Sequence, residues 1–111
     1  MPEPIGTVLK IPRNASSQLL TIAAVPFPIF NIGGVVTGVP ALLKRKSFAI
    51  QNRDIVAKEL SFLSTTNGVL LRAETILGDG NGGYFECSLN EDVQCWIVAG
   101  LGNIVVIQIG E

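Results

Sequence analysis

Two nearly unbroken apolar runs, VQCWIVA and IVVIQI, lie between Val93 and Ile109, joined by Gly100, Leu101, Gly102 and Asn103. Runs this rich in β-branched and aromatic residues favour strands, and the short Gly/Asn joint predicts an antiparallel hairpin. Side chains alternate along a strand, so Val93, Cys95, Ile97 and Ala99 share one face while Gln94, Trp96 and Val98 share the other. Only Gln94 and Gln108 interrupt the runs. A pair with so little polar surface reads as the centre of a sheet, covered on both faces by earlier strands or by another subunit.

The rest of the chain supplies candidate strands. Pro2, Pro4 and Pro12 bracket the extended piece Thr7 to Ile11, a pattern that suits a segment lying along a surface. Ser17 to Val25 alternates Leu19, Thr21 and Ala23 against Leu20, Ile22 and Ala24. Pro26 and Pro28 break it, and Ile29 to Val39 continues as an apolar stretch bent at Gly33, Gly34 and Gly38. Lys44 to Asn52 is the cleanest alternation, with Lys46, Phe48 and Ile50 on one face and Ser47, Ala49 and Gln51 on the other. Asp54 is placed to cap one helical turn through Lys58. Leu60 to Ser64 and Val69 to Thr75 read as a hairpin around Asn67-Gly68, and Tyr84 to Leu89 as a further strand.

Turn signals recur about every ten residues, which predicts an all-β fold: an antiparallel β-sandwich or jelly roll of about eight strands with at most one short helix. At 111 residues the chain builds one core. On this reading residues 1–16 form an extended N-terminal arm and residues 17–111 a single β-sandwich domain.

Charged residues make up 15% of the chain and apolar ones 48%. That imbalance points to an apolar patch that a lone subunit must show to water, the mark of a protein interface. A small β domain rich in Val and Ile also reads as hydrophobic without one. Eight basic and nine acidic residues leave a net charge of −1, which excludes a general nucleic-acid footprint. The one basic cluster, Lys44, Arg45 and Lys46, reads as a solvated guard at the start of an edge. Pro26, Pro28, Asn31 and two glycines break the longest apolar stretch, so no membrane span is expected. The N-terminus lacks the pattern of a signal peptide, so the glycosylation triplet Asn14-Ala15-Ser16 is expected to stay unmodified.

Catalytic templates find little purchase. The chain has no histidine, which removes Ser-His-Asp and Cys-His arrangements and any zinc site at Cys87 and Cys95. Those two cysteines read as buried thiols rather than a disulfide. A lysine nucleophile needs a buried amine, and nothing in the sequence marks one. Glu59, Glu74 and Glu86 lie in separate candidate strands and read as surface acids, while Glu91 and Asp92 sit in a turn. Gly78 to Gly83, GDGNGG, formally fits a phosphate-binding pattern, but Tyr84, Phe85, Glu86 and Cys87 follow it as a strand, not a helix. Asp79 and Asn81 supply too few oxygens for calcium. The expectation is a protein that is not an enzyme and uses no cofactor.

From Lys44 to Glu111 the chain resembles small virion proteins of tailed phages. The likeness lies in a basic strand opening (Arg45, Lys46, Ser47, Ile50, Gln51, Asn52), a Gly-rich centre, a strand bearing Trp96, a Gly turn and a last apolar strand ending in Glu111. Within that group, length and apolar character are most similar to the capsid decoration, cement or staple proteins of epsilon-fifteen-type short-tailed phages. The resemblance implies a jelly-roll subunit, made in the host cytoplasm, that binds the capsid exterior of the virion as a homodimer and clamps neighbouring copies of the major capsid protein. It brings no functional motif to individual residues, and the longer Asp54 to Ser64 insert departs from it. A clamp needs many weak apolar contacts and extended arms. The expected attachment residues are therefore Ile5, Val8, Leu9 and Ile11 in the arm, and Phe27, Ile29 and Phe30 after it. The alternative is a receptor- or glycan-binding domain of a phage tail or baseplate, using Trp96 and the GDGNGG loop.

Overall fold

The computed structural model describes residues 14–65 and 68–110. Ten strands follow in chain order: β1 (Asn14–Ile22), β2 (Phe27–Pro28), β3 (Phe30–Asn31), β4 (Val39–Pro40), β5 (Arg45–Asn52), β6 (Lys58–Ser61), β7 (Val69–Leu71), β8 (Tyr84–Cys87), β9 (Trp96–Ala99) and β10 (Gly102–Gly110). Two four-stranded antiparallel sheets, ordered β1-β10-β5-β8 and β2-β9-β6-β7, pack as a sandwich. The short parallel pair β3-β4 lies outside both sheets. The all-β expectation holds, and no described residue is helical.

The C-terminal hairpin does not form. β9 and β10 both occupy interior positions, as their apolar composition demands, but in different sheets. Gly100 and Leu101 are a corner between layers: Gly100 and Gly102 take φ of 91° and 108°, a region L side chains avoid. A Cβ on Gly102 would also strike the Asp54 carboxylate, whose Oδ2 accepts the Asn103 N–H at 3.0 Å. Strand length decided the partners. Nine-residue β10 runs in register along nine residues of β1 on one side and along β5 on the other, whereas four-residue β9 matches β6.

Alternation along β10 then sorts its residues by face. Ile104, Val106 and Gln108 are buried between the layers, while Val105, Ile107 and Ile109 are half-buried on the outer face beside Leu19, Ser17 and Ala15 of β1. Ile22, Phe30, Phe48, Ile50, Leu60, Leu71 and Ile97 complete the core. Each such side chain contributes about 1.5–3 kcal/mol by leaving water.

Three further expectations change. A bulge in β5 sets Ser47 opposite Ile109 and Arg45 opposite Gly110, leaving Lys46 as the extra residue. The bulge reverses the alternation, so Arg45 enters the core and Lys46 faces water; the basic cluster is not a solvated guard throughout. The one-turn helix after Asp54 is absent, because the Asp54 carboxylate also takes the Ile55 N–H at 2.8 Å and ties the segment to β10 as a loop. β1 begins at Asn14, so residues 14–16, assigned to the arm, belong to the first sheet. β6 and β7 pair as the two expected strands do, Lys58 opposite Leu71 and Leu60 opposite Val69. They span Lys58–Ser61 and Val69–Leu71 rather than Leu60 to Ser64 and Val69 to Thr75, and Asn67 of the expected turn lies outside the described residues.

Candidate interaction surface

Asn52, the last residue of β5, is fully buried and organises one end of the sandwich. Its Nδ2 donates to the carbonyls of Val56, Leu71 and Arg72 at 2.8, 3.1 and 3.1 Å. Its Oδ1 accepts from Lys58 Nζ at 2.8 Å and from the Asp54 N–H at 3.2 Å. One amide therefore joins the first sheet to β7 of the second and to the 53–57 loop. Lys58 is buried as well, against the expectation that no amine would be. Its Nζ also reaches the Val56 carbonyl at 3.1 Å, and burial lowers its pKa against the opposing pull of Asp54. Through these two bonds the ammonium braces Asn52 against the 53–57 loop.

The glycine-rich loop closes on the same end. Glu74, expected at the surface, has a fully buried side chain that accepts from the Gly78 N–H at 2.8 Å, the Gly80 N–H at 2.9 Å and Arg53 Nε at 2.8 Å. Its own N–H donates to the Asp54 carbonyl at 2.8 Å. The backbone donors that a phosphate would need are thus occupied by a carboxylate of the same chain. Asn81 adds two bonds to Thr75, at 3.0 and 3.1 Å, that close the neck of the loop.

This polar frame carries apolar tips. Ile55 and Val56 project from the 53–57 loop, Ile76 and Leu77 from the glycine-rich loop, and Leu101 from the corner between layers. Ile76 and Leu77 are 64% and 60% exposed although the backbone around them is bonded on both sides. Val36, Leu43, Leu63 and Leu70 are exposed as well, but the tips on these fastened loops gather at one end of the sandwich, which makes that end the candidate docking surface.

The expected attachment residues Ile5, Val8, Leu9 and Ile11 lie outside the described residues. Ile29 and Phe30 have no exposed surface and Phe27 is half-buried against the core, so in the folded subunit the Pro26 to Phe30 segment offers a partner little. The Ile29 N–H donates to the Cys95 carbonyl and β2 pairs with β9, which draws the segment into the second sheet. Trp96 and the glycine-rich loop are not brought together: Trp96 pairs with Ser61 at one end of β6, while Gly83 bonds Arg72 beyond the Lys58 end.

At the opposite end Arg45 plays the part of Asn52. Its guanidinium packs against both Phe30 and Phe48, 4.3 and 4.8 Å from their ring centroids, and the rings themselves meet edge-on at 5.1 Å. Nε donates to the Leu89 carbonyl at 3.0 Å, and one terminal nitrogen to the carbonyls of Asn90 and Val93. Gln108 continues the network to Leu42 N–H at 2.8 Å and the Pro40 carbonyl at 2.9 Å. Both cysteines are free thiols near this cation, and burial pushes each thiol pKa up despite it.

Acid sensitivity follows from the loop end. Bonds from the Gly78 N–H, then the Gly80 N–H and Arg53, hold Glu74 below its ordinary pKa, and bonds from Asn103 and Ile55 do the same for Asp54. A carboxylate depressed in the folded state stabilises it above the ordinary value and loses that contribution as pH falls through the folded value. The urea midpoint is expected to hold steady down to about pH 5 and to drop by about pH 3. Glu74→Gln removes part of that drop; an unchanged acid limb in the variant contradicts the assignment.

Comparison of the chain with protein-family models, with curated proteins and with solved structures found no match.

Proposed function

We propose that this chain is a structural virion subunit that binds the outer surface of a phage capsid and clamps neighbouring major capsid proteins, docking through the loop end organised by Asn52. The supporting observation is the set of exposed apolar tips, Ile55, Val56, Ile76, Leu77 and Leu101, on loops whose backbones are already bonded. Preorganised loops lose little conformational entropy when they dock, so a small apolar contact is retained as affinity. The charges at the base of these loops are of both signs, Glu74 paired with Arg53 and Asp54 lying near the buried Lys58 ammonium, so the end carries little net charge. A homodimer presents two such ends, and simultaneous engagement multiplies weak contacts into firm attachment.

The test is occupancy on capsid shells purified without the protein. Ile76→Asp with Leu77→Asp places charge in the contact and is expected to weaken binding by about 100-fold, roughly 2.7 kcal/mol, with the thermal midpoint unchanged. Deletion of residues 1–13 in the same assay measures the share of the arm. Full occupancy by the double variant rejects the loop end as the docking surface.

A further inference from the structure

The glycine-rich loop has an unusual attachment to the fold that carries it. Bonds among Thr75, Ile76, Asp79 and Asn81 close the loop, while Gln51 Nε2 of β5, donating to the Gly80 and Gly82 carbonyls at 2.9 and 3.3 Å, and Arg72 Nε, donating to the Asn81 carbonyl, hold its returning limb. The turn at Gly78 and Gly80, next to the apolar tips, is held by Glu74. Gly78 and Gly80 adopt φ of 95° and 75°, turning both N–H groups inward to a single carboxylate, and that carboxylate is fastened by Arg53 to the neighbouring 53–57 loop. A residue with a Cβ at either glycine resists this conformation, so the sequence GDGNG is suited to wrapping an anion.

We infer that Glu74 is the positioning residue of the docking surface: its carboxylate is a built-in anion around which the turn at Gly78 and Gly80 is shaped, so that presentation of Ile76 and Leu77 depends on this buried group even with Gln51 and Arg72 holding the returning limb of the loop. The inference rests on the docking reading given above and names what controls it. Glu74 touches no partner itself; it acts through the two apolar tips. Arg53 faces it from the adjoining loop, while Arg72, bonded to the Asn81 carbonyl at 3.3 Å, and Asp79 lie at the rim. A small external anion has the chemistry to replace it, since two amides and a guanidinium remain when the side chain is cut back.

The experiment compares wild type, Glu74→Ala and Glu74→Asp by amide hydrogen exchange and by occupancy on shells, with and without sodium formate. In Glu74→Ala the Gly78 and Gly80 amides are expected to exchange about 100-fold faster while Ile50 and Ile104 in the core keep their protection. Shell binding falls about 10-fold, and about 100 mM formate reverses both changes. Glu74→Asp, one methylene shorter, retains part of both. Protected Gly78 and Gly80 in Glu74→Ala, a loosened loop with undiminished occupancy, or indifference to formate each overturns the inference alone. Wild-type protein that ignores shells overturns the docking reading and this inference with it.

Discussion

Replacing Asn52 by Leu is expected to lower the free energy of unfolding by about 3–4 kcal/mol, whereas replacing its partner Lys58 by Met is expected to change it by less than about 1 kcal/mol. Both residues are buried and bonded to each other, so the difference lies in what each leaves behind. Without Asn52 the Asp54 N–H loses its acceptor, the Leu71 carbonyl loses the amide donor, and the Lys58 ammonium keeps only the Val56 carbonyl. Without Lys58 every group retains a partner: Asn52 Oδ1 still accepts from Asp54, and Val56 still accepts from Asn52 Nδ2. A buried cation exchanged for an apolar chain of similar length also sheds its desolvation cost. Denaturant titrations of both variants and the double variant measure this directly, and the double variant should recover about 1–2 kcal/mol relative to additivity. The pH dependence adds a second check. Lys58 has a lowered pKa in the folded state, so wild-type stability rises as pH climbs from that value toward the ordinary 10.5, and Lys58→Met lacks the rise. A Lys58→Met variant as damaged as Asn52→Leu contradicts the division of labour.

Arg45 and Lys46 offer the second large contrast. Arg45→Met removes a guanidinium that donates to the Leu89, Asn90 and Val93 carbonyls and packs against two aromatic rings. The Asn90 carbonyl keeps the Val93 N–H, but those of Leu89 and Val93 lose this donor inside the fold. Hydrogen bonds to a charged donor are worth about 1.5–3 kcal/mol each, so the expected cost is about 4 kcal/mol. For a domain of this size that is a fall in Tm of roughly 15–20 °C. Arg45→Lys keeps the charge yet lacks the planar fork that reaches several carbonyls, and should recover less than half. Lys46→Met, one residue along, is expected to move Tm by no more than about 2 °C, because its side chain is exposed. Differential scanning calorimetry of the three variants decides the matter: equal shifts at the two positions mean that the bulge in β5 is misplaced.

That bulge shows where sequence reading stops. Strict alternation placed Lys46 with Phe48 and Ile50, and alternation did hold from Ser47 to Asn52. One extra residue beside Gly110 reversed it, and nothing local to KRK distinguishes the cation that packs against Phe30 and Phe48 from the one that faces water. The same limit applies to the candidate site. Glu74 and Lys58 look like ordinary surface charges because their partners, Gly78, Gly80, Arg53 and Asn52, are supplied by other loops and strands. One signal was available: a glycine-rich loop followed by a strand needs an anion from somewhere, and Glu74 is the nearest carboxylate preceding it.

The sequence by itself determined that this chain is an all-β sandwich with interior strands at β9 and β10, because apolar content and β-branching act on each strand separately. Alternation likewise grouped Leu20 with Ile22 and Phe48 with Ile50, the pairs that the fold turns inward. Only the tertiary structure decided that β9 and β10 part company into different sheets, that Ile29 and Phe30 turn into the core, and that buried Asn52, Arg45 and Glu74 hold the loops. The physical reason is the same in each case. Strand pairing and polar burial are competitions among distant partners, settled by matching lengths and by which buried donors find acceptors, and neither quantity is a property of any single stretch of chain.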